Sequence, residues 1–190
     1  MTAFPAFAAL SAVVAAFLPP AMAAAEDVDM VAIFAEARQQ GRTGIAQKTR
    51  PVDARPAASG EVIVTIIRND GVETRSKPAE TGDFVVRNRC PATGNEEYLV
   101  AAAKFADRYA AQDGAAPVDG WTAYVPKGVP MAYFIIPAGN GPYDFTAPWG
   151  ERMVARAGDA IVQNPADTAD TYRVAAASFD CTYQIVTPAR

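Results

Sequence analysis

The sequence predicts an α+β protein: two tandem related small units, rich in antiparallel strands, each closed by a short helix and packed together as a pseudo-dimer. Three observations carry this expectation. First, Gly82-Asp83-Phe84-Val85-Val86-Arg87-Asn88 returns as Gly158-Asp159-Ala160-Ile161-Val162-Gln163-Asn164, an offset of 76 residues (158 − 82). After a turn of different length the match resumes at an offset of 74 (172 − 98), pairing Tyr98 with Tyr172, Phe105 with Phe179 and Tyr109 with Tyr183. Self-similarity at a fixed period is the mark of repeated structural units. Second, β-rich runs such as Val62-Ile63-Val64 are followed by turn chemistry, with Asn69-Asp70-Gly71 suited to the positive φ of a tight hairpin. Third, a unit this small buries too little surface to be stable alone, and packing two copies face to face solves that. The Gly-Asp strand starts make an SH3-like barrel the fold-level analogy for each unit.

The elements follow in chain order. Residues 1–25 contain no charged side chain and read as a signal peptide. An apolar run from Phe7 to Leu18 is broken by Pro19-Pro20, and Ala21-Met22-Ala23 supplies a small-x-small cleavage site. An uncleaved membrane anchor is the alternative. Residues 26–60 read as an N-terminal helix and linker. The helix opens on Glu26, Asp27 and Asp29, presents Val28, Val31, Ala32 and Ala35 at helical spacing, and stops at Gly41. The linker carries Lys48, Arg50, Pro51, Arg55 and Pro56 without periodicity. Residues 61–111 form the first unit: a hairpin around Asn69-Asp70-Gly71, a strand opened by Gly82-Asp83, a returning strand over residues 96–100, and a short helix placing Phe105 and Tyr109 on one face. Residues 112–122 are a Gly- and Pro-bearing linker. Residues 123–190 form the second unit, with strands over 131–136, 143–146 and 158–164 and a helical turn around Phe179 and Tyr183.

Composition restricts the chemistry. The net charge is −4 and the isoelectric point about 4.9, which argues against nucleic acid as a partner, because phosphate affinity needs clustered Lys and Arg. The chain has no histidine. That removes the usual general base of Ser and Cys hydrolases and the commonest ligand of catalytic zinc. Carboxylate, Tyr, Lys and oxygen-ligated metal chemistry remain.

The repeated residues have two readings. Asp83 and Asp159 are either paired functional carboxylates or turn residues beside a positive-φ glycine. Tyr98, Tyr172, Phe105, Phe179, Tyr109 and Tyr183 are most simply core. Together, the pattern Gly158-Asp159, Tyr172 and Phe179-Asp180-Cys181-Thr182-Tyr183 resembles the tail of short phage- and prophage-encoded proteins of uncharacterised function, here in duplicated form. The run Phe145-Thr146-Ala147-Pro148-Trp149-Gly150-Glu151 resembles the hairpin before that tail. This resemblance bears on fold and implies neither an activity nor a catalytic residue.

Cys90 and Cys181 are the only cysteines, and in an exported protein an even pair suggests a disulfide joining one unit to the other. A buried thiol or an intermolecular bridge are the alternatives. Trp121, Tyr124, Tyr143 and Trp149 lie in or beside Gly/Pro-rich loops. They are the candidate ligand-binding residues, the alternative being that they seal the ends of two small cores. The functional expectation is an exported non-catalytic binding or interaction module of the periplasm or cell envelope, without cofactor or metal. It would be a monomer with internal pseudo-symmetry, would bind a protein or envelope ligand, and would meet a membrane only through an uncleaved signal. The alternative is a carboxylate- or metal-dependent hydrolase of envelope substrates, with Glu96, Glu97, Asp167 and Asp170 converging in one cleft.

Overall fold

The computed structural model describes residues 26–190 apart from residue 115, and side chains from residue 28 onward. The expected signal peptide lies outside the described residues. The chain is mixed α+β and strand-rich. Its elements, in order, are β1 (Glu26–Asp27), α1 (Met30–Gln39), β2 (Gly44–Lys48), β3 (Val52–Pro56), β4 (Val64–Ile67), β5 (Gly71–Arg75), β6 (Phe84–Asn88) and β7 (Glu97–Val100). Then come α2 (Ala102–Arg108), β8 (Tyr109–Ala111), β9 (Thr122–Pro126), β10 (Pro130–Ile135), β11 (Tyr143–Thr146), β12 (Arg152–Ala155), β13 (Ala160–Asn164), β14 (Asp167–Val174), α3 (Ala176–Thr182) and β15 (Tyr183–Thr187).

Two five-stranded sheets organise the molecule, ordered β7-β6-β3-β9-β8 and β14-β13-β10-β2-β15, with every neighbouring pair antiparallel. The register of the two ladders corresponds. Val86 faces Tyr98 as Val162 faces Tyr172, and Pro126 faces Tyr109 as Lys48 faces Tyr183. A hairpin is inserted before β6 (β4-β5) and another before β13 (β11-β12). Short helices of about two turns, α2 and α3, lead into the edge strands β8 and β15.

The chain crosses between the sheets twice. Where the sequence reads a linker, residues 44–48 form β2 in the second sheet and residues 52–56 form β3 in the first. Likewise β9 joins the first sheet and β10 the second. These strands escape a propensity reading because most of their buried positions hold small residues: Gly44 and Ala46 in β2, and Ala54 beside a single Val52 in β3. Gly44 has a specific reason to lack a side chain. A Cβ there would lie 2.3 Å from the Thr187 carbonyl oxygen and 2.5 Å from the Ala189 nitrogen.

The N-terminal helix starts later than its acidic residues suggest. Asp29 is the N-cap, its Oδ1 accepting from the Val31 and Ala32 N–H groups, while Glu26–Asp27 pair in parallel with β11. Its buried face is Met30, Phe34 and Ala37, at i, i+4 and i+7, and Val31 is exposed. That face packs on Ala132, Phe134, Phe145 and Ile161, with Phe34 and Phe134 meeting edge-on at 5.4 Å. The second sheet is buried on both sides: Met131, Tyr133, Val162 and Phe179 form a separate cluster on its other face. The first sheet packs Val52, Val86, Phe105 and Tyr109 under α2. The Asn69-Asp70-Gly71 hairpin forms as expected, with positive φ at Asn69 and Gly71.

Candidate functional site

The Gly-Asp repeat has a local task in each half. Asp83 accepts from the Glu80 N–H (2.9 Å) and from the Ala102 N–H (3.2 Å), the first residue of α2. Asp159 accepts from the Arg156 N–H (2.8 Å) and from the Ala176 N–H (3.1 Å), the first residue of α3. Neither short helix has a side-chain cap of its own, because Ala101 and Ala175 stand at the N-cap. The buried carboxylates close their own turns and supply the missing acceptor from a distance. Asp159 also accepts from Arg173 Nε at 2.7 Å, whereas Leu99 occupies the corresponding place in the first half.

Helix docking brings four tyrosines to the seam between the sheets. The Tyr98 and Tyr109 hydroxyls are 3.0 Å apart, and Tyr172 and Tyr183 are hydrogen-bonded to each other. Lys48 Nζ donates to Tyr98 OH (2.7 Å) and Asn88 Oδ1 (2.8 Å), and lies over the Tyr98 ring. Burial pushes the Tyr98, Tyr172 and Tyr183 phenols above the ordinary range, so they act as neutral hydrogen-bonding groups.

These residues line a cavity of about 280 Å³, walled by β7, α2, β14, α3 and the two inserted hairpins. Its charged groups form networks. Asp170 is buried and receives Lys104 (3.3 Å) and Arg108 (2.8 Å). Arg173 is buried and binds three carboxylates: Asp159 (2.7 Å), Asp70 (2.6 Å) and Glu73 (3.2 Å). Burial opposes its charge, but these acids outweigh that and hold its pKa above the ordinary value. The β4-β5 hairpin thereby reaches the second sheet, joined by Thr74 Oγ1 donating to Glu151 (2.8 Å). Glu96 accepts from Asn88 (2.7 Å), from Ser178 (2.6 Å) and from Thr93. Glu73 differs from its neighbours. Burial pushes its carboxyl up to about 7, with Arg173 opposing the shift and Glu96, Asp159 and Asp70 reinforcing it.

Cys90 and Cys181 are bonded, with Cα atoms 6.1 Å apart, tying the end of β6 to α3 beside this seam. Of the four candidate aromatics, Trp149 lines the cavity, donates to Glu151 (3.0 Å) and lies 5.4 Å from the Tyr172 ring. The Arg55 and Arg87 guanidinium groups lie over the Trp121 ring, 5.2 Å and 4.2 Å from its centre. Tyr124 packs edge-on against Phe84 and Phe105, and Tyr143 rests on the α1 core. Of the four acids named from sequence, Glu96 and Asp170 reach the cavity wall, Glu97 lies in β7 paired across from Arg87, and Asp167 is exposed. Among the described residues no cluster of three or more His, Cys, Asp or Glu is placed to hold a metal. The sequence reading gave no site role to Lys48, Glu73, Arg108 or Arg173. Its usable signal was the paired spacing of the tyrosines.

No protein-family model matches the chain, and no curated protein or solved structure matches it either. Among the described residues no helix is long and apolar enough to cross a membrane. The disulfide fits an oxidising environment.

Proposed function

We propose that this chain is an exported, non-catalytic binding module of the periplasm or cell envelope, made of two related SH3-like units that exchange strands across an internal pseudo-twofold. It is a duplicated form of the short phage- and prophage-type unit it resembles, and works as a monomer. The single observation that carries the reading is the cavity at the seam, about 280 Å³, lined by Tyr98, Tyr109, Tyr172, Tyr183 and Trp149 together with eight charged residues, most of them paired with one another. A mostly apolar cleft with few polar groups at a junction of units is what small-molecule sites require. The corresponding strand orders and the shared Asp83 and Asp159 bonding support relatedness of the halves. The SH3-like analogy rests on five antiparallel strands with a short helix before the last edge strand.

Thermal melting of the oxidised protein against sugars, nucleotides, divalent metals, muropeptides, amino acids and short peptides tests the reading. A ligand at one hundred times its Kd adds about 2.7 kcal/mol, or roughly 5–11 °C at this size. The shift should vanish in Trp149→Ala and Tyr98→Ala. A flat response to the whole panel overturns it. The second reading, a carboxylate-dependent hydrolase of envelope substrates, is favoured by one observation: Glu73 titrates near 7 on the cavity wall, where a general acid or base is useful. Hydrolysis of a muropeptide or ester panel that disappears in Glu73→Gln would establish it in place of the first.

A further inference from the structure

The nature of the ligand follows from the charges on the cavity wall, and this inference rests on the binding reading above. Most of those charged groups already have partners. Lys104 and Arg108 share Asp170, and water meets the positive charge they leave in excess, since the Lys104 side chain is about half exposed. Glu96 accepts from three neutral side chains, and Glu151 accepts from Thr74, Trp149 and the Lys77 N–H. Two groups of opposite sign retain open capacity.

The first is Lys48. An ammonium has three donors, and two of them go to neutral oxygens of Asn88 and Tyr98. No described carboxylate lies within ion-pair distance of it; Glu96 stands behind Asn88, whose amide donates to that carboxylate. The second is Glu73. Its Oε1 receives one bond, from a guanidinium divided among three acids, and Arg156 on Asp70 (3.3 Å) is the second cation of that group. Three carboxylates against two guanidinium groups leave one negative charge in excess. Glu73 Oε2 receives no hydrogen bond, yet no buried side-chain oxygen among the described residues lacks a partner. That oxygen therefore keeps accessible surface, on a residue that lines the cavity.

We infer that the cavity takes a small molecule bearing both a free amino group and a carboxylate, of the amino-acid or short-peptide class, with the ammonium on Glu73 and the carboxylate on Lys48. A purely anionic ligand leaves the Glu73 side of the cavity unmatched, and a purely cationic one leaves Lys48 desolvated beside a like charge, each of which opposes binding. Trp149 and Tyr172 offer the ligand's body an aromatic wall. The volume suits a single amino acid or a very short peptide, below the usual range of drug-sized sites.

The test is isothermal titration of the oxidised wild-type protein with pools of free L-amino acids and dipeptides, followed by N-acetylated and C-amidated versions of whichever pool binds. Free forms should bind, and capping either end should weaken binding at least tenfold. In Glu73→Gln the penalty for N-acetylation should disappear while that for amidation stays, and Lys48→Met should show the reverse. Doubly capped analogues that bind as tightly as free ones overturn the inference. If amino acids and peptides fail while sugars, nucleotides or metals bind, the inference falls and the binding reading stands; if nothing binds, both fall. The capping comparison uses the wild type, so it decides the matter even where a variant does not fold.

Discussion

Replacing Glu73 with Gln should make the protein more stable at neutral pH, and by an amount that depends on pH in a definite way. The Glu73 carboxyl rises from an ordinary value of 4.5 to about 7 in the folded chain, because burial on the cavity wall penalises its charged form more than Arg173 favours it. A folded pKa above the unfolded one means that the native state binds the extra proton between those values. The contribution is fully present below about 4.5 and is lost as the pH rises to about 7. At 1.36 kcal/mol per unit the loss is on the order of 3 kcal/mol by pH 8. Gln is neutral at every pH, keeps the shape and can still accept from Arg173, so it mimics the protonated acid. Wild type and E73Q should therefore have equal unfolding free energies near pH 4.5 and diverge above it, the variant leading by roughly 3 kcal/mol at pH 8, or about 6–12 °C in Tm. Urea melts of both proteins at several values between pH 4.5 and 8 measure this. Other titrating groups, including Glu61, which Arg55 holds down at about 2, are common to both chains and cancel in the difference. Curves that stay parallel across the range would refute the reasoning.

Two further outcomes concern the scaffold. Removing the disulfide in Cys90→Ser/Cys181→Ser frees a loop spanning 91 residues, which the chain-entropy model values at about 4–5 kcal/mol; guanidinium melts should place the variant alongside wild type in reductant, and an unchanged midpoint would show the bond to be stabilising nothing. Gly44→Ala pushes a methyl into the backbone of Thr187 and Ala189 and should cost about 3 kcal/mol, the strained end of overpacking. A loss below about 0.5 kcal/mol would mean that the C-terminal strand yields freely.

The parts of the fold legible in the sequence are those whose physics is local. The Asn69-Asp70-Gly71 turn, the strands opened by Gly82-Asp83 and Gly158-Asp159, and the helical turns ending at Tyr109 and Tyr183 all rest on residues within a few positions of one another. The helix face is an intermediate case. Val28, Val31, Ala32 and Ala35, widened by Ile33 and Phe34, and the true face of Met30, Phe34 and Ala37 both satisfy a helical period, and only Phe134 and Ile161 on the sheet below choose between them. Strands β2 and β3 lie beyond local reading altogether. Ala46 and Ala54 are almost completely buried although each side chain is a single methyl, and what specifies them is the proximity of other backbones rather than their own propensity.

The same reasoning explains why the candidate site escaped the sequence. Lys48 ends β2 next to one crossing between the sheets, and Gly128 and Val129 line the cavity from the other crossing. Glu73 arrives on a hairpin that belongs to neither large sheet and is fixed by Arg173, one hundred residues further along. Each of these side chains has an unremarkable local setting, a basic tail residue or a solvated hairpin acid. Lys48 reaches the cavity because the chain passes from one sheet to the other and back, leaving the ends of β2 and β9 and the start of β10 around a shared gap. The tyrosines were visible for the opposite reason. Their recurrence at a constant offset is a pattern within the sequence itself, whereas a lysine with no counterpart at that offset, where Pro126 holds the corresponding register, leaves no such trace. A cavity built on near-symmetric phenols thus takes its polarity from the residues that break the correspondence, Lys48 and Arg173, the second of which holds Glu73, so the proposed ligand selectivity is to be sought at Lys48 and Glu73.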